Sequence, residues 1–358
     1  WVWKLKIAVQ EFPVIALVPI AILSLAPPYF SGDWPIARWI LAGTAFIIWS
    51  YPLFYSSALV YQTKKQIAWT NPLEPTPWIG QLSMEALRSV EPDSILSIPL
   101  SDGQTIAVDL YFSEQEKKAP VVFVVHGGGW DAGNSREMAS FNRVLTSWGF
   151  HVASINYRLA PVHPYPTAVN DVVSAVKHLL DRKTGIQATV GGHFLLGRSA
   201  GGQIALQAAS ALGNQVLSGV IAFYAPADLI WGHQRARTDD LLNSKKLMEQ
   251  YLGAPNYQPN GLYFQASPVH TAGSNFPRTL LIHGLQDNMV SPYHSRSLMK
   301  RLQKCGVSCT LLELPWATHG ADFNYLGPSG RITTALIKRF ISTKSQMGVK
   351  SLSVVERP

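Results

Sequence analysis

From about residue 90 onward, apolar residues fall into short dense runs separated by longer amphipathic stretches. Val121-Val122-Phe123-Val124-Val125 is wholly apolar and mostly β-branched, the pattern of a strand buried on both faces. Runs of this kind predict strands at 94–100, 105–112, 121–125, 151–157, 193–197, 217–224, 279–283 and 308–314. Helical periodicity falls near 135–148, 167–181, 200–211, 292–304 and 328–342. Such alternation predicts an α/β fold, a mostly parallel sheet with helices on both faces. Ser101-Asp102-Gly103-Gln104 carries turn residues, so the first two strands are expected to form an antiparallel hairpin. Residues 226–275 interrupt the alternation, with Trp231, Tyr251, Tyr257, Tyr263 and Phe264 set among charges and prolines. A long insertion of this kind predicts a cap over a site, and a surface excursion is the plainer alternative.

The N-terminal pattern is different. Ile7 to Phe30 is almost wholly apolar, with Gln10 and Glu11 near its start and prolines at 13, 19, 27 and 28. Trp39 to Tyr61 carries no charge and has the length that crosses a bilayer. Ser31-Gly32-Asp33-Trp34-Pro35 is a polar turn between them. These features predict a two-helix membrane hairpin, the alternative being a hydrophobic cap folded onto the rest of the chain. Lys4 and Lys6 flank the first segment and Lys64 and Lys65 the second, which predicts that both ends and the following domain face the cytoplasm. A signal peptide fits poorly, because the second apolar segment would remain. The chain begins at Trp1 rather than methionine, so residues upstream of it are expected. The expected organisation is a membrane segment over 1–65, a linker over 66–90, an α/β domain over 91–342 with its cap near 226–275, and a polar tail over 343–358.

Composition changes this picture little. The 358 residues carry 30 Lys and Arg against 22 Asp and Glu, a net charge of +8 that suits an anionic membrane surface. No basic run is interleaved with aromatics, so nucleic acid is not an expected partner. Cys305 and Cys309 are too few for a disulfide framework and are expected to be reduced. No H-E-x-x-H pair and no paired cysteines suggest a metal, and no cofactor is expected. Oligomeric state is not encoded in any pattern found.

Candidate chemistry centres on Gly197-Arg198-Ser199-Ala200-Gly201, a G-x-S-x-G elbow between a predicted strand and a predicted helix. Its glycines permit a tight turn that lifts the Ser199 hydroxyl above the sheet. The apolar strand 121–125 runs into His126-Gly127-Gly128-Gly129-Trp130. Backbone N–H groups of Gly128, Gly129 and Ala200 are the expected oxyanion donors. Trp130 and His126 are the expected substrate-side residues of that loop, His126 through hydrogen bonds that hold it. Downstream, Asp287 follows the strand 279–283, and His319 follows the strand 308–314. A carboxylate and an imidazole in these places can orient and activate a serine, with His319 as base and Asp287 fixing its tautomer. Asp228 is the best substitute for Asp287, whereas Asp322 follows His319 too closely to orient it. Of the other histidines, His283 ends a strand and is expected to be structural; His163, His270 and His294 sit in loops or near helix starts.

With these residues the chain resembles the α/β-hydrolase carboxylesterases close to the hormone-sensitive-lipase-like and feruloyl/acetylxylan-esterase-like families. The resemblance covers about residues 90–342. It is carried by HGGGW at 126–130, Tyr157-Arg158-Leu159-Ala160-Pro161 with Tyr165, Pro166 and Asp171, GRSAGG at 197–202, HGLQDNMV at 283–290 and THG at 318–320. The YRLAP stretch is similar to the hormone-sensitive-lipase group. The aspartate segment is similar to the H-G-x-x-D-x-x-V pattern of esterases, arylformamidases and oligopeptidase-type hydrolases, and the D-P-L acid motif of the lipase group is missing. Plant isoprenylcysteine methylesterases are similar in joining HGGGW to hydrophobic N-terminal segments. The resemblance implies a membrane-associated serine hydrolase that cleaves a carboxylic ester, hydrophobic or lipid-like, without a cofactor. An amidase, arylformamidase or acyltransferase on the same triad is one alternative; a non-catalytic ligand-binding or scaffold member of the fold is another.

Overall fold

A computed structural model describes residues 7–8, 10–12, 39–40, 42–47, 51, 86, 88–115, 117–181, 186, 188–189, 192–236, 243–253, 261–342 and 350–352. Its strands are β1 (Ser94–Pro99), β2 (Thr105–Tyr111), β3 (Val121–Val125), β4 (His151–Ile155), β5 (Phe194–Arg198), β6 (Gly219–Phe223), β7 (Thr279–Gly284), β8 (Cys309–Leu314) and β9 (Lys350–Leu352). They form one sheet in the order β1-β2-β4-β3-β5-β6-β7-β8-β9. β1 and β2 pair antiparallel, as their turn predicts, and β2 pairs antiparallel with β4. Every pairing from β4 through β3 to β9 is parallel. β9 lies within the expected tail 343–358, the rest of which falls outside the described residues.

Helices α1 (Ala139–Ser147), α2 (Thr167–Leu180), α3 (Ala200–Leu212), α8 (Tyr293–Lys304) and α9 (Pro328–Ser342) flank the sheet. Alternate residues of β3 enter opposite cores. Val121, Phe123 and Val125 pack with Val172 and Val176 of α2, Ile204 of α3 and Leu298 of α8. Val122 and Val124 pack with Leu145 of α1 and Leu336 of α9. Burial on both faces explains why the central strands are continuous apolar runs. The predicted helix 135–148 begins later, at Ala139. Residues 135 and 136 are tied to the sheet instead: Ser135 Oγ donates to Asp109 at 2.7 Å and Arg136 pairs with the same carboxylate.

The insertion contains α4 (Leu229–Arg235), α5 (Ser244–Leu252), α6 (Leu262–Gln265) and α7 (Pro268–Thr271). Residues 237–242 and 254–260 within it lie outside the described residues.

The expected membrane hairpin lies largely outside the described residues, as does the expected linker 66–90 apart from 86 and 88–90. Among the described residues no helix is long and apolar enough to cross a membrane. That finding overturns the expected membrane location, and with it the cytoplasmic placement deduced from flanking lysines. The start of the first apolar segment packs against the α/β domain: Ile7, Glu11 and Phe12 are buried, and Glu11 is bonded to Asn324 and Ser329. Its apolar side chains therefore cover protein surface.

Burial pushes the Glu11 carboxyl up to about 8, outweighing two hydrogen bonds from Ser329 that favour its charged form. A raised acid in the folded state stabilises fully below its unfolded value, near 4.5. That stability is lost as pH rises through the folded value, at about 1.4 kcal/mol per pH unit between the two. Thermal melts of wild type and Glu11→Gln from pH 5 to pH 9 test this, and the difference in Tm should move in favour of the variant as pH rises.

Candidate active site

The elbow sits where β5 meets α3. Ser199 has φ 52° and ψ −123°, a left-handed region that costs a side-chain-bearing residue about 1–3 kcal/mol. The surroundings force it there. A Cβ at Gly201 would strike the carbonyl oxygens of Val125 and His126 at the end of β3. Only glycine lets α3 start against the neighbouring strand, and that approach brings the serine and the 126–130 loop together. Ser199 N–H donates to Phe223 O at 3.0 Å, fixing the turn to β6.

Three side chains from three strand ends meet here. Ser199 Oγ lies 2.9 Å from His319 Nε2, and His319 Nδ1 lies 2.7 Å from Asp287 Oδ2. A carboxylate only accepts, so Nδ1 carries the ring proton and Nε2 accepts from the serine hydroxyl. The other oxygen, Asp287 Oδ1, accepts the N–H groups of Met289 and Val290, each at 2.9 Å. His283 Nε2 stands 3.4 Å from Oδ2 and 2.8 Å from Val290 O. Burial alone would raise the Asp287 carboxyl, but the nearby His319 charge and hydrogen bonds from His283 and His319 outweigh it. The group is held well below the usual carboxylate range and is ionised at neutral pH. Asp228, the alternative carboxylate, caps α4 instead, accepting Trp231 N–H at 3.0 Å.

The glycine loop lies across from this chain. Gly128 has φ 106°, and a Cβ there would strike Ala132 O. Gly127 N–H is taken by Glu137 Oε2 at 2.8 Å. No acceptor among the described residues takes the N–H of Gly128 or Gly129. Ala200 opens α3, where the first N–H groups have no partner within the helix. Tyr157 OH donates to the carbonyls of His126 and Gly127, at 3.1 and 3.2 Å. The adjacent Arg158 pairs with Asp171 at 2.7 Å. The YR pair thus holds the loop and its neighbouring helix.

His126 is placed behind the loop. Its ring stacks on Tyr157, with centroids 4.2 Å apart, and its Nδ1 donates to Gly127 O at 2.8 Å. Burial pushes its pKa down to about 4, so the ring is neutral. It does not line the cavity, whereas Trp130 does. Trp130 is fixed by a bond from Nε1 to Gln203 Oε1, at 2.9 Å, and by stacking on Tyr251 of α5.

A cavity of about 750 Å³ opens over Ser199. Trp130, Trp231, Leu247 and Met248 give it an apolar wall, and all but Trp130 come from the insertion. His294, read from sequence only as near a helix start, also lines it, with its pKa pushed down to about 3 by burial and by His283. Sequence reasoning missed a second network. Arg198 Nε donates to Asp322 Oδ2 at 2.5 Å, and Tyr224 OH donates to Asp322 Oδ1 at 2.5 Å. The Tyr224 ring lies 4.3 Å from that of His319. The charged residue inside the G-x-S-x-G motif was the one available signal. Among the described residues no group of three His, Cys, Asp or Glu side chains could hold a metal.

A family model described as BD-FAE matches residues 108–302, more than half of the chain. The chain is similar to Esterase LipC of Mycobacterium tuberculosis, at 29% identity over 58% of this chain and 54% of that protein. It is also similar to Ethyl acetate hydrolase of Pseudomonas putida, at 27% identity over 66% of this chain and 78% of that protein. The chain spans about half the length of LipC. Among solved structures, an esterase of Pyrobaculum calidifontis aligns with a TM-score of 0.62 at 22% identity, covering 80% of this chain and 97% of the other. That likeness shows the fold, an α/β-hydrolase fold.

Proposed function

The chain belongs to the BD-FAE family, and from that premise we propose that it is a carboxylic ester hydrolase working through an acyl-enzyme on Ser199. One observation carries this reading: the unbroken hydrogen-bonded chain from Ser199 through His319 to Asp287 at the floor of a cavity. The esterase names of LipC and Ethyl acetate hydrolase support the reaction class.

Ser199 Oγ attacks the ester carbonyl while His319 Nε2 takes its proton. The imidazolium is stabilised by the ionised Asp287. The N–H groups of Gly128, Gly129 and Ala200 receive the developing oxyanion, each donor contributing about 3 kcal/mol to the transition state. His319 returns the proton to the departing alcohol. Water then attacks the acyl-enzyme with His319 again as base, releasing the acid. Residues 226–275 act as a cap that shapes the substrate pocket. Trp130 with the Trp231, Leu247 and Met248 side chains of the cap favours an ester with a hydrophobic portion.

A panel of p-nitrophenyl esters, the matching anilides and an N-formyl arylamine tests the class. The highest kcat/KM is expected for an ester. A higher value for the anilide or the formamide would replace this reading with an amidase or arylformamidase on the same side chains.

A further inference from the structure

The loop after His319 has no regular secondary structure until α9 begins at Pro328. Its position depends on tethers. One is Asp322, bonded to Arg198 and Tyr224. The other comes from the opposite end of the chain. Asn324 Nδ2 donates to the main-chain oxygen of Glu11 at 2.7 Å, while Asn324 Oδ1 takes Leu326 N–H at 3.1 Å. Ser329 N–H donates to Glu11 Oε2 at 3.1 Å and Ser329 Oγ to Glu11 Oε1 at 2.6 Å, across 318 positions of sequence.

Ser329 is the second residue of α9. The first N–H groups of a helix have no partner within it, and a carboxyl group is favoured there. Glu11 therefore caps α9 from a separate segment. Ser329 Oγ also accepts from Trp316 Nε1 at 2.9 Å, which ties the same point to the residue three before His319. Contact is close: a Cβ on Gly327 would lie 2.5 Å from Glu11 O. Glu11 is 1% exposed, and Ile7 and Phe12 are buried beside it. Burial of a carboxyl costs free energy unless hydrogen bonds compensate. Those to the carboxyl come from the first turn of α9, where the loop that carries His319 ends, and the main-chain bond comes from Asn324 within that loop.

We propose that Ile7, Glu11 and Phe12 form a clasp on the histidine loop, and that Glu11 is a positioning residue holding His319 within reach of Ser199 through Asn324 and Ser329. The catalytic part of this inference rests on the role proposed for His319; the clasp itself does not. Displacing a base by about 1 Å can lower a rate 10²-fold, so a tether remote from the chemistry has leverage on it.

The test compares wild type, Glu11→Ala and Glu11→Gln in the full chain by hydrogen-exchange mass spectrometry and by kcat and KM on p-nitrophenyl acetate. Glu11→Ala should speed exchange in residues 319–326 and leave β3 unchanged. Its kcat should fall at least about tenfold with KM nearly unchanged. Glu11→Gln keeps an acceptor for Ser329 N–H and should restore both exchange and kcat. If Glu11→Ala does not fold, Asn324→Asp is read in its place; it keeps the acceptor for Leu326 and loses the donor to Glu11. Unchanged exchange at 319–326 would overturn the clasp whether or not the protein cleaves esters. Faster exchange with unaltered kcat, or equal losses in both Glu11 variants, would overturn the positioning role alone.

Discussion

Replacing Ser199 with alanine is expected to lower kcat for ester hydrolysis by about 10⁶-fold. The substitution removes one oxygen and keeps the Cβ, so the strained turn at φ 52° and its packing stay as they are. KM and Tm should therefore remain near wild type. Residual turnover of about 10³–10⁴ over water is expected, because the donors of Gly128, Gly129 and Ala200 and the cavity walls are untouched. Steady-state kinetics on purified protein check this. Contamination is the chief hazard at such low rates, so the variant should be made in a host lacking its own esterases.

Replacing Asp287 with asparagine is expected to lower kcat by about 10⁴-fold. Its two oxygens have different tasks: one takes the N–H groups of Met289 and Val290, and the other takes His319 Nδ1. An amide has a single acceptor oxygen. If that oxygen serves the two backbone donors, the NH₂ group faces Nδ1 and drives the ring proton to Nε2, where it can no longer accept from Ser199. If the amide turns over, its NH₂ opposes two N–H groups. The control is Asp228→Asn, which alters a helix cap and should leave kcat close to wild type. A large loss in Asp228→Asn with none in Asp287→Asn would reverse the two carboxylates. Asp322→Asn falls in another class. It weakens a buried ion pair with Arg198 that also tethers the loop after His319, and should lower Tm together with a smaller loss of kcat than Asp287→Asn.

Much of the α/β domain is legible in the sequence because its physics is local. Parallel strands buried on both faces are largely apolar, and Val121–Val125 is wholly so. Helices that cover them show the complementary periodicity. The residues that converge on Ser199 are legible for a related reason, since each follows a strand end and a parallel sheet places those ends along one edge. Contacts between distant segments are not legible in this way. Nothing in residues 7–30 signals that Glu11 would cap α9, and an apolar segment reads alike whether it covers lipid or protein. His126 was expected on the substrate side because it opens the glycine loop. The ring instead stacks on Tyr157, and its Nδ1 donates to Gly127 O, behind the loop. Arg198 stands out only as a charge inside the G-x-S-x-G motif, and nothing in the sequence pairs it with Asp322, because that contact depends on the end of β5 and the loop after His319 meeting in space.

The central claim is that Ser199 is an activated nucleophile, and a fluorophosphonate probe tests it most directly. Intact-mass measurement followed by peptide mapping should find one phosphonyl adduct per chain, on Ser199. The adduct should be absent in Ser199→Ala and should form far more slowly in His319→Ala. An unlabelled wild-type chain that still hydrolyses esters, or a Ser199→Ala protein that keeps full activity, would contradict it.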